Sequence, residues 1–178
     1  MGTKYTIIDS EIGKLLLAST DIGIANISFI NADPKDKAAF DLEVASDLAQ
    51  LQRALKSEAF VQDDSAFLEA AKEIREYFAG KRKEFSFKQD KTLSNGFTRK
   101  VHDQIAKIPY GQTATYSEIA ALIGHPGAAR AVGTACGRNT LLFSVPCHRV
   151  VATSGLGGYA GRLDIKAHLL QMESVATQ

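Results

Sequence analysis

The stretch TYSEIAALIGHPGAARAVG, residues 115–133, decides the fold of the second half of the chain. Thr115 and Glu118 have the spacing of a capping box, which predicts that a short helix starts here. Glycine and proline in residues 124–127 end that helix, and a further helix is predicted over about 128–136. Two short helices joined by a tight glycine-containing turn are typical of a helix-turn-helix, although any small helical hairpin has the same outline.

The elements around this motif are two helices, a strand and a loop. Apolar residues recur at helical spacing from Phe97 and predict a helix that ends before Pro109. After the motif we predict an apolar strand over 141–145, a glycine-rich loop over 154–161 and a closing helix from 163 to about 173. The second half is therefore mostly helical.

The first half opens with segments that are typical of β-strands. Residues 5–9, 14–18 and 24–30 are rich in β-branched and apolar side chains and are separated by turns. This pattern predicts a short antiparallel meander. A further strand is predicted over 84–88.

Two amphipathic helices are predicted to pack on this sheet. Asp33 is placed to cap the first helix, with Pro34 at its first position. The second helix is predicted over 65–79, with Gly80 placed to end it. A polar segment ending in Asn95-Gly96 then suggests a boundary between two domains, 1–92 and 93–178.

Bulk composition excludes several classes of protein. With 178 residues, 45% of them hydrophobic and 23% charged, the chain is neither disordered nor fibrous. A formal charge of +1 produces no global field for nucleic acid, so any DNA affinity must come from a local surface. No apolar run is long enough to cross a bilayer. We therefore expect a cytoplasmic protein, nucleoid-associated in a prokaryote, with no membrane partner.

The segment SVPCHRVV, residues 144–151, carries the candidate chemistry. A nucleophilic cysteine needs a base or a positive environment to become a thiolate, and His148 and Arg149 directly follow Cys147. Neighbours in sequence need not have side chains that meet, and a buried cysteine beside a core histidine is the commoner arrangement, so the spacing alone leaves the chemistry open. The other cysteine, Cys136, is expected to serve in packing.

Residues 146–150, Pro-Cys-His-Arg-Val, are similar to the acceptor motif of the O6-alkylguanine-DNA alkyltransferase family. The resemblance covers about 97–173, and the first half looks like the ribonuclease-H-like domain of that family. Further matching positions follow in the same order: Tyr116, 129–133, Asn139, Gly158, Tyr159, Lys166 and Glu173. The resemblance implies an α+β fold, in which a ribonuclease-H-like antiparallel sheet with helices precedes a mostly helical domain with a helix-turn-helix of winged-helix type.

The resemblance also implies the catalytic roles. Cys147 would be the nucleophile and alkyl acceptor, His148 its base through a water, and Glu173 the group that orients the imidazole. Tyr116 would donate a hydrogen bond to the departing guanine, and Asn139 would hold the helix against the active-site loop. The resulting thioether has no easy leaving group, so the protein would act once.

Substrate and DNA would be held by a second set of residues. Arg130 would fill the stack vacated by a flipped base, and small residues would let the recognition helix enter the minor groove. The residues implied in substrate or DNA binding are Tyr116, Ala129, Arg130, Gly133, Val150, Gly157, Gly158, Tyr159 and Lys166.

The partner implied is double-stranded DNA that contains O6-alkylguanine, and O4-alkylthymine as a second substrate, bound without strong sequence preference. We expect a monomer in solution, with cooperative assembly on DNA left open, and no cofactor. Some relatives bind zinc in their first domain, but residues 1–96 contain neither cysteine nor histidine, so we predict no metal.

The sequence departs from the family at three positions, one of which is Cys136, where a bulkier apolar residue is frequent. His102 stands where a tryptophan is common, and Arg162 stands where a small residue is common. The loop before Arg162 is also one residue shorter than in some relatives. These changes leave the preference for alkyl-group size open.

Three alternative functions use the same features. A cysteine hydrolase could use Cys147, His148 and Glu173, but it would show multiple turnover. A non-catalytic lesion sensor would bind alkylated guanine without an adduct, although such relatives lack the acceptor cysteine. A transcription factor would prefer one duplex sequence.

Overall fold

An antiparallel meander opens the chain, as the β-branched and apolar residues near the N-terminus predict. In the computed structural model, which describes residues 2–160 and 162–175, β1 (Lys4–Ser10) pairs with β2 (Gly13–Ser19) and β2 with β3 (Ile24–Phe29). A two-residue strand, β4 (Val61–Gln62), adds parallel to β1, so the order across the sheet is β3-β2-β1-β4. The meander was predicted, and the short fourth strand was not.

The first helix, α1 (Lys37–Leu55), starts later than predicted. Its cap is Asp36, whose carboxylate accepts a hydrogen bond from the backbone amide of Ala39 at 3.1 Å. Asp33 instead closes the turn before the helix, because its carboxylate accepts from Lys35 N and its carbonyl accepts from Asp36 N, both at 2.9 Å. The predicted start at Asp33 is therefore wrong.

The second helix, α2 (Leu68–Phe78), follows a 3₁₀ turn over Asp64–Phe67. Its inward face includes Ile74 and Tyr77, both fully buried. Gly80 follows the helix with φ at +69°, a conformation that side chains other than glycine disfavour. The helix predicted over 65–79 and its glycine stop are thus present.

The strand predicted over 84–88 does not form. The carboxylate of Glu73, fully buried on α2, accepts from the backbone amide of Ser86 at 2.7 Å and also from the Ser86 hydroxyl. An amide held by this carboxylate is not available to a sheet ladder. Pairing in this region is limited to an isolated bridge between Ile24 and Gln89.

The second compact unit, Ser94–Gln178, begins one residue after the predicted boundary between 92 and 93. Its described part contains four helices and a parallel two-stranded sheet. These elements are α3 (Gly96–Ile105), β5 (Ala114–Thr115), α4 (Tyr116–Leu122), α5 (Ala129–Gly137), β6 (Val150–Val151) and α6 (Leu163–Val175). In the described ranges, no helix has both the length and the apolar character needed to cross a membrane.

The helix-turn-helix outline is confirmed in α4 and α5, which pack against each other. The capping box is complete, because Thr115 Oγ1 accepts from Glu118 N at 3.1 Å and Glu118 Oε2 accepts from Thr115 N at 2.6 Å. Gly124 and Gly127 adopt φ values of +78° and +89° in the turn between the helices. The winged-helix type of this motif stays a prediction.

The apolar strand predicted over 141–145 is instead a turn. Val145 N donates to the Leu141 carbonyl at 2.9 Å, and Phe143 has φ at +69°. The Asn139 side chain holds both ends of this turn, since its Oδ1 accepts from Leu141 N at 2.9 Å and its Nδ2 donates to the Val145 carbonyl at 2.7 Å. These bonds replace the ladder that a strand would need, and the chain is directed into a 3₁₀ turn, Cys147–Arg149.

Candidate active site

Cys147 opens the 3₁₀ turn between the Asn139-held turn and β6. Its side chain is 5% exposed, yet it lines a cavity of about 680 Å³. This combination places a nearly buried thiol at the wall of a space large enough for a small planar molecule.

The cavity gathers most of the predicted site residues. The wall comes from α4, α5, the turn after α5 and the glycine-rich loop. The predicted residues that line it are Tyr116, Ala129, Arg130, Gly133, Asn139, Cys147, Gly158 and Tyr159. Four lining residues were not predicted as site residues, namely Cys136, Gly137, Leu142 and Ala160.

Asn139 contacts the candidate nucleophile directly. Its Nδ2 donates to Cys147 Sγ at 3.1 Å, in addition to the bond to the Val145 carbonyl. Its backbone amide donates to the carbonyl of Cys136 on α5 at 3.1 Å. Asn139 therefore links the end of α5 to the sulfur, and its N–H favours negative charge there.

The electrostatic environment of Cys147 keeps the sulfur protonated at rest. Burial raises the pKa of the Cys147 thiol, and the Asn139 hydrogen bond and the charge of Lys166 oppose that rise only in part. A thiolate therefore forms when a base takes the proton.

His148 is the candidate for that base. Its Nε2 lies 2.8 Å from Glu173 Oε1, and both side chains are fully buried. A carboxylate accepts, so Nε2 carries the proton and Nδ1 is the nitrogen that can accept another. Burial lowers the pKa of His148 and so favours the neutral imidazole, although the Glu173 contact opposes this.

Arg149, which the sequence suggested only as a source of positive charge beside Cys147, makes more bonds to Glu173 than His148 does. Its Nε and Nη2 donate to the two carboxylate oxygens at 2.8 Å, and its Nη1 donates to the Ile108 carbonyl at 2.7 Å. Burial raises the pKa of Glu173, but the bonds from His148 and Arg149 outweigh this and hold the pKa of that carboxyl well below its usual range. A cation inside an otherwise apolar segment was the signal available in the sequence.

The glycine-rich loop is held against α4 and α6. Tyr116 Oη donates to the Gly158 carbonyl at 3.3 Å, and Lys166 Nζ donates to the carbonyls of Gly158 at 3.0 Å and Val150 at 2.6 Å. Gly157 has φ at +71°, and a Cβ there would lie 2.7 Å from the Tyr116 ring. The cavity wall is thus supported by three predicted residues that do not line the cavity, namely Lys166, Val150 and Gly157. Gly161, the last residue of the predicted loop, lies outside the described residues.

Of the unusual positions, His102 contributes to this support and Arg162 lies apart from it. His102 Nε2 lies 2.8 Å from the Ala135 carbonyl, so it binds α3 to α5, next to the cavity residue Cys136. Arg162 forms an exposed ion pair with Asp164 at 3.2 Å. Burial raises the pKa of Cys136 to about 12, so this second thiol is protonated at neutral pH.

Family models match both halves of the chain. Residues 3–90 match the ribonuclease-like domain of 6-O-methylguanine DNA methyltransferase, and residues 96–175 match its DNA binding domain. The chain belongs to the 6-O-methylguanine DNA methyltransferase family. This confirms the resemblance stated from residues 146–150 and the α+β fold class.

Relatives of this family match nearly the whole chain. A methylated-DNA–protein-cysteine methyltransferase of Methanosarcina acetivorans is 38% identical over 170 residues, which is 95% of this chain and 97% of that protein. One of Mycolicibacterium paratuberculosis is 37% identical over 171 residues, 96% of this chain and 92% of that protein.

Solved structures of the family share the fold. The crystal structure of Mycobacterium tuberculosis O6-methylguanine methyltransferase superposes with a TM-score of 0.78 at 35% identity, covering 98% of this chain and 94% of that chain. The crystal structure of Mycobacterium tuberculosis OGT in complex with DNA also gives a TM-score of 0.78 at 35% identity, covering 97% of this chain and 94% of that chain.

Among residues 2–160 and 162–175, no three His, Cys, Asp or Glu side chains are grouped so that they could hold a metal ion.

Proposed function

We propose that this chain repairs alkylated DNA by transferring an alkyl group from O6 of guanine to Sγ of Cys147. The observation that carries the proposal is the position of Cys147 at a cavity whose wall includes the second helix of the helix-turn-helix. A DNA-binding element and a nucleophile therefore share one space. Relatives named methylated-DNA–protein-cysteine methyltransferase support the same reaction.

The first step is activation of the sulfur. His148 is neutral because burial lowers its pKa, so it can take the proton from Cys147, through an intervening water. Glu173 holds the ring by Nε2 and directs Nδ1 as the accepting atom. The Asn139 N–H then stabilises the charge on the sulfur.

The second step is displacement at the alkyl carbon. The sulfur forms a bond to that carbon while the carbon–O6 bond breaks, and guanine leaves as an anion. Tyr116 is placed to donate a hydrogen bond to the base, exchanging its present partner, the Gly158 carbonyl. Burial raises the pKa of Tyr116, so its hydroxyl retains the proton that it needs to donate.

The product explains why one molecule would repair one lesion. An alkyl thioether on Cys147 offers no good leaving group, so the thiol is not regenerated. We propose that repair is irreversible and stoichiometric.

DNA contact is proposed for the second unit. Residues 94–178 contain eight Lys and Arg against four Asp and Glu, a formal charge of +4, whereas residues 1–93 contain thirteen against sixteen, a charge of −3. Arg130 is exposed at the start of α5, beside the small residues Ala129 and Gly133. These features suit a helix in the minor groove, with Arg130 replacing a flipped base in the stack.

The test is the intact mass of the protein after incubation with a duplex that contains O6-methylguanine. We expect one methyl group per protein, located on the peptide that contains Cys147, and none on the Cys147→Ala variant. Tight binding without an adduct would indicate a lesion sensor. Release of more than one equivalent of repaired DNA would indicate a turnover enzyme. Either result would overturn the proposal.

A further inference from the structure

The Glu173 carboxylate is shared unequally between two neighbours. Arg149 donates to both of its oxygens, at 2.8 Å each, while His148 contacts Oε1 alone at 2.8 Å. The backbone amide of Gly111 adds a bond to Oε2 at 3.2 Å. The dominant partner of this buried carboxylate is thus the guanidinium, in the planar two-bond geometry that arginine favours.

A carboxylate buried beside an imidazole normally favours the protonated ring. Opposite charges attract strongly where water is excluded, and the imidazolium is the charged form that Glu173 alone would stabilise. His148, Arg149 and Glu173 are 0%, 5% and 0% exposed, so this effect would be large here. A ring that is already protonated could not take the proton of Cys147.

We propose that Arg149 is a positioning residue of the transfer reaction, which neutralises Glu173 so that this carboxylate orients His148 while leaving the ring neutral. The inference rests on the proposed function, because it assigns His148 the task of accepting the proton of Cys147. Arg149 Nη1 also donates to the Ile108 carbonyl at 2.7 Å, so the guanidinium cannot move away from Glu173 without breaking that bond.

The other charged and titratable groups around the ring agree with this arrangement. Burial is the largest cause that lowers the pKa of His148, Glu173 opposes it, and Arg149 and Lys166 lower it further. The ring of Tyr159 lies 6.3 Å from that of His148, and burial raises the pKa of Tyr159 well above its ordinary value.

Two further groups complete the surroundings of the network. Tyr110, whose ring lies 5.5 Å from the Arg149 guanidinium, also has its pKa raised by burial, and burial likewise raises the pKa of Cys147. Neither of these groups, nor Tyr159, becomes charged as the pH falls from neutral. As the pH falls from neutral, His148 is therefore the group in this network that gains a proton.

This arrangement also makes His148 a more effective base. A general base works best when it is deprotonated at the working pH and still accepts a proton readily. Without Arg149, Glu173 would make His148 a stronger base, but the ring would already be protonated at neutral pH. With Arg149 present, the ring is available, and Glu173 still fixes its orientation.

The test is a histidine NMR titration between about pH 5 and 9, which covers the range where imidazoles titrate. The His148 signal is assigned with a His148→Asn variant. In the unmodified protein we expect a neutral ring at neutral pH, protonated at Nε2. An imidazolium at neutral pH would overturn the inference without any further variant.

Two variants at Arg149 test the cause. Arg149→Met should raise the midpoint of His148 by about one pH unit or more, because Glu173 is then left without its counter-ion. The double variant Arg149→Met, Glu173→Gln should reverse that rise, because both charges are gone. Arg149→Lys, which keeps the charge without the fork, should shift the midpoint less than Arg149→Met. An unchanged midpoint in Arg149→Met, or no reversal in the double variant, would refute the proposal.

Single-turnover transfer supplies the second readout. In Arg149→Met the transfer rate should fall at acidic and neutral pH and recover in alkali. The acid limb of the pH–rate profile therefore shifts to higher pH. A purely structural role predicts the same loss at every pH. Absence of transfer in the unmodified protein would be a failure of the proposed function, whereas the histidine titration tests Arg149 whether or not transfer occurs.

Discussion

Asn139 Nδ2 lies 3.1 Å from Cys147 Sγ and donates a hydrogen bond to it. The same amide group holds both ends of the turn over 141–145 and so sets the position of the 3₁₀ turn that carries the sulfur. One side chain therefore both holds the local fold and contacts the candidate nucleophile.

Replacing Asn139 should affect both properties. Asn139→Ala should lower the free energy of unfolding by about 2–3 kcal/mol, since buried backbone groups lose their partners. It should also slow transfer, because the thiolate loses its donor. Chemical denaturation and single-turnover kinetics measure the two effects. The control is Asn95→Ala, since Asn95 is exposed and makes no side-chain cap to α3; equal effects of the two changes would argue against the coupling.

Removal of the candidate base should change the pH dependence of transfer. Burial lowers the pKa of His148, so in the unmodified protein transfer should decline only as the pH falls below the ordinary histidine range. In His148→Ala the sulfur must ionise unaided, and burial raises the pKa of Cys147 above its ordinary value of 9.0. We expect a loss of about 100-fold at neutral pH and a rate that keeps rising into alkali. An unaltered profile would remove His148 from the mechanism.

Arg130 should affect the repair of a lesion in duplex DNA more than the reaction with a free base. Arg130→Ala should slow repair of a lesion inside duplex DNA more than reaction with free O6-benzylguanine, because the duplex substrate alone requires extrusion of the base. Parallel rate measurements on the two substrates give the ratio. Lys100→Ala, an exposed cation on α3, serves as the charge control. Equal losses on both substrates would contradict the flipping role.

The glycine-rich loop should tolerate a side chain at one glycine better than at another. Gly157→Ala places a Cβ 2.7 Å from the Tyr116 ring at a φ of +71°, so the cavity wall must shift. Gly155 also has a positive φ, +119°, but a Cβ added there has no neighbour within 4 Å. We expect Gly157→Ala to lose about 1–3 kcal/mol of stability and much of its transfer rate, with a smaller loss for Gly155→Ala. Thermal unfolding and benzylguanine reaction rates compare them; a similar loss of rate in both would show that contact with Tyr116 is unimportant.

Elements specified by neighbouring residues were predicted well. The capping box of Thr115 and Glu118 formed as expected, because both of its hydrogen bonds join residues three positions apart. Asp33 shows the limit of such signals. Two aspartates three residues apart could each cap α1, and the turn that Asp33 closes leaves that task to Asp36.

Errors occurred where a side chain outside a segment took the backbone groups of that segment. Residues 84–88 and 141–145 both have compositions suited to strands. Glu73, thirteen positions before Ser86, binds the amide that the first strand would need. Asn139 holds the second segment as a turn. Composition does not reveal which side chain will compete for a backbone amide.

By itself the sequence determined the candidate nucleophile, its adjacent histidine, the two-domain order and the helix-turn-helix outline, since each depends on a local motif or on apolar spacing. Only the tertiary structure decided that Glu173, 24 residues after Arg149, receives two hydrogen bonds from that guanidinium and one from His148. The physical reason is that the charge state of a buried histidine depends on every charge packed around it, and those charges meet only when α6 folds against the 3₁₀ turn.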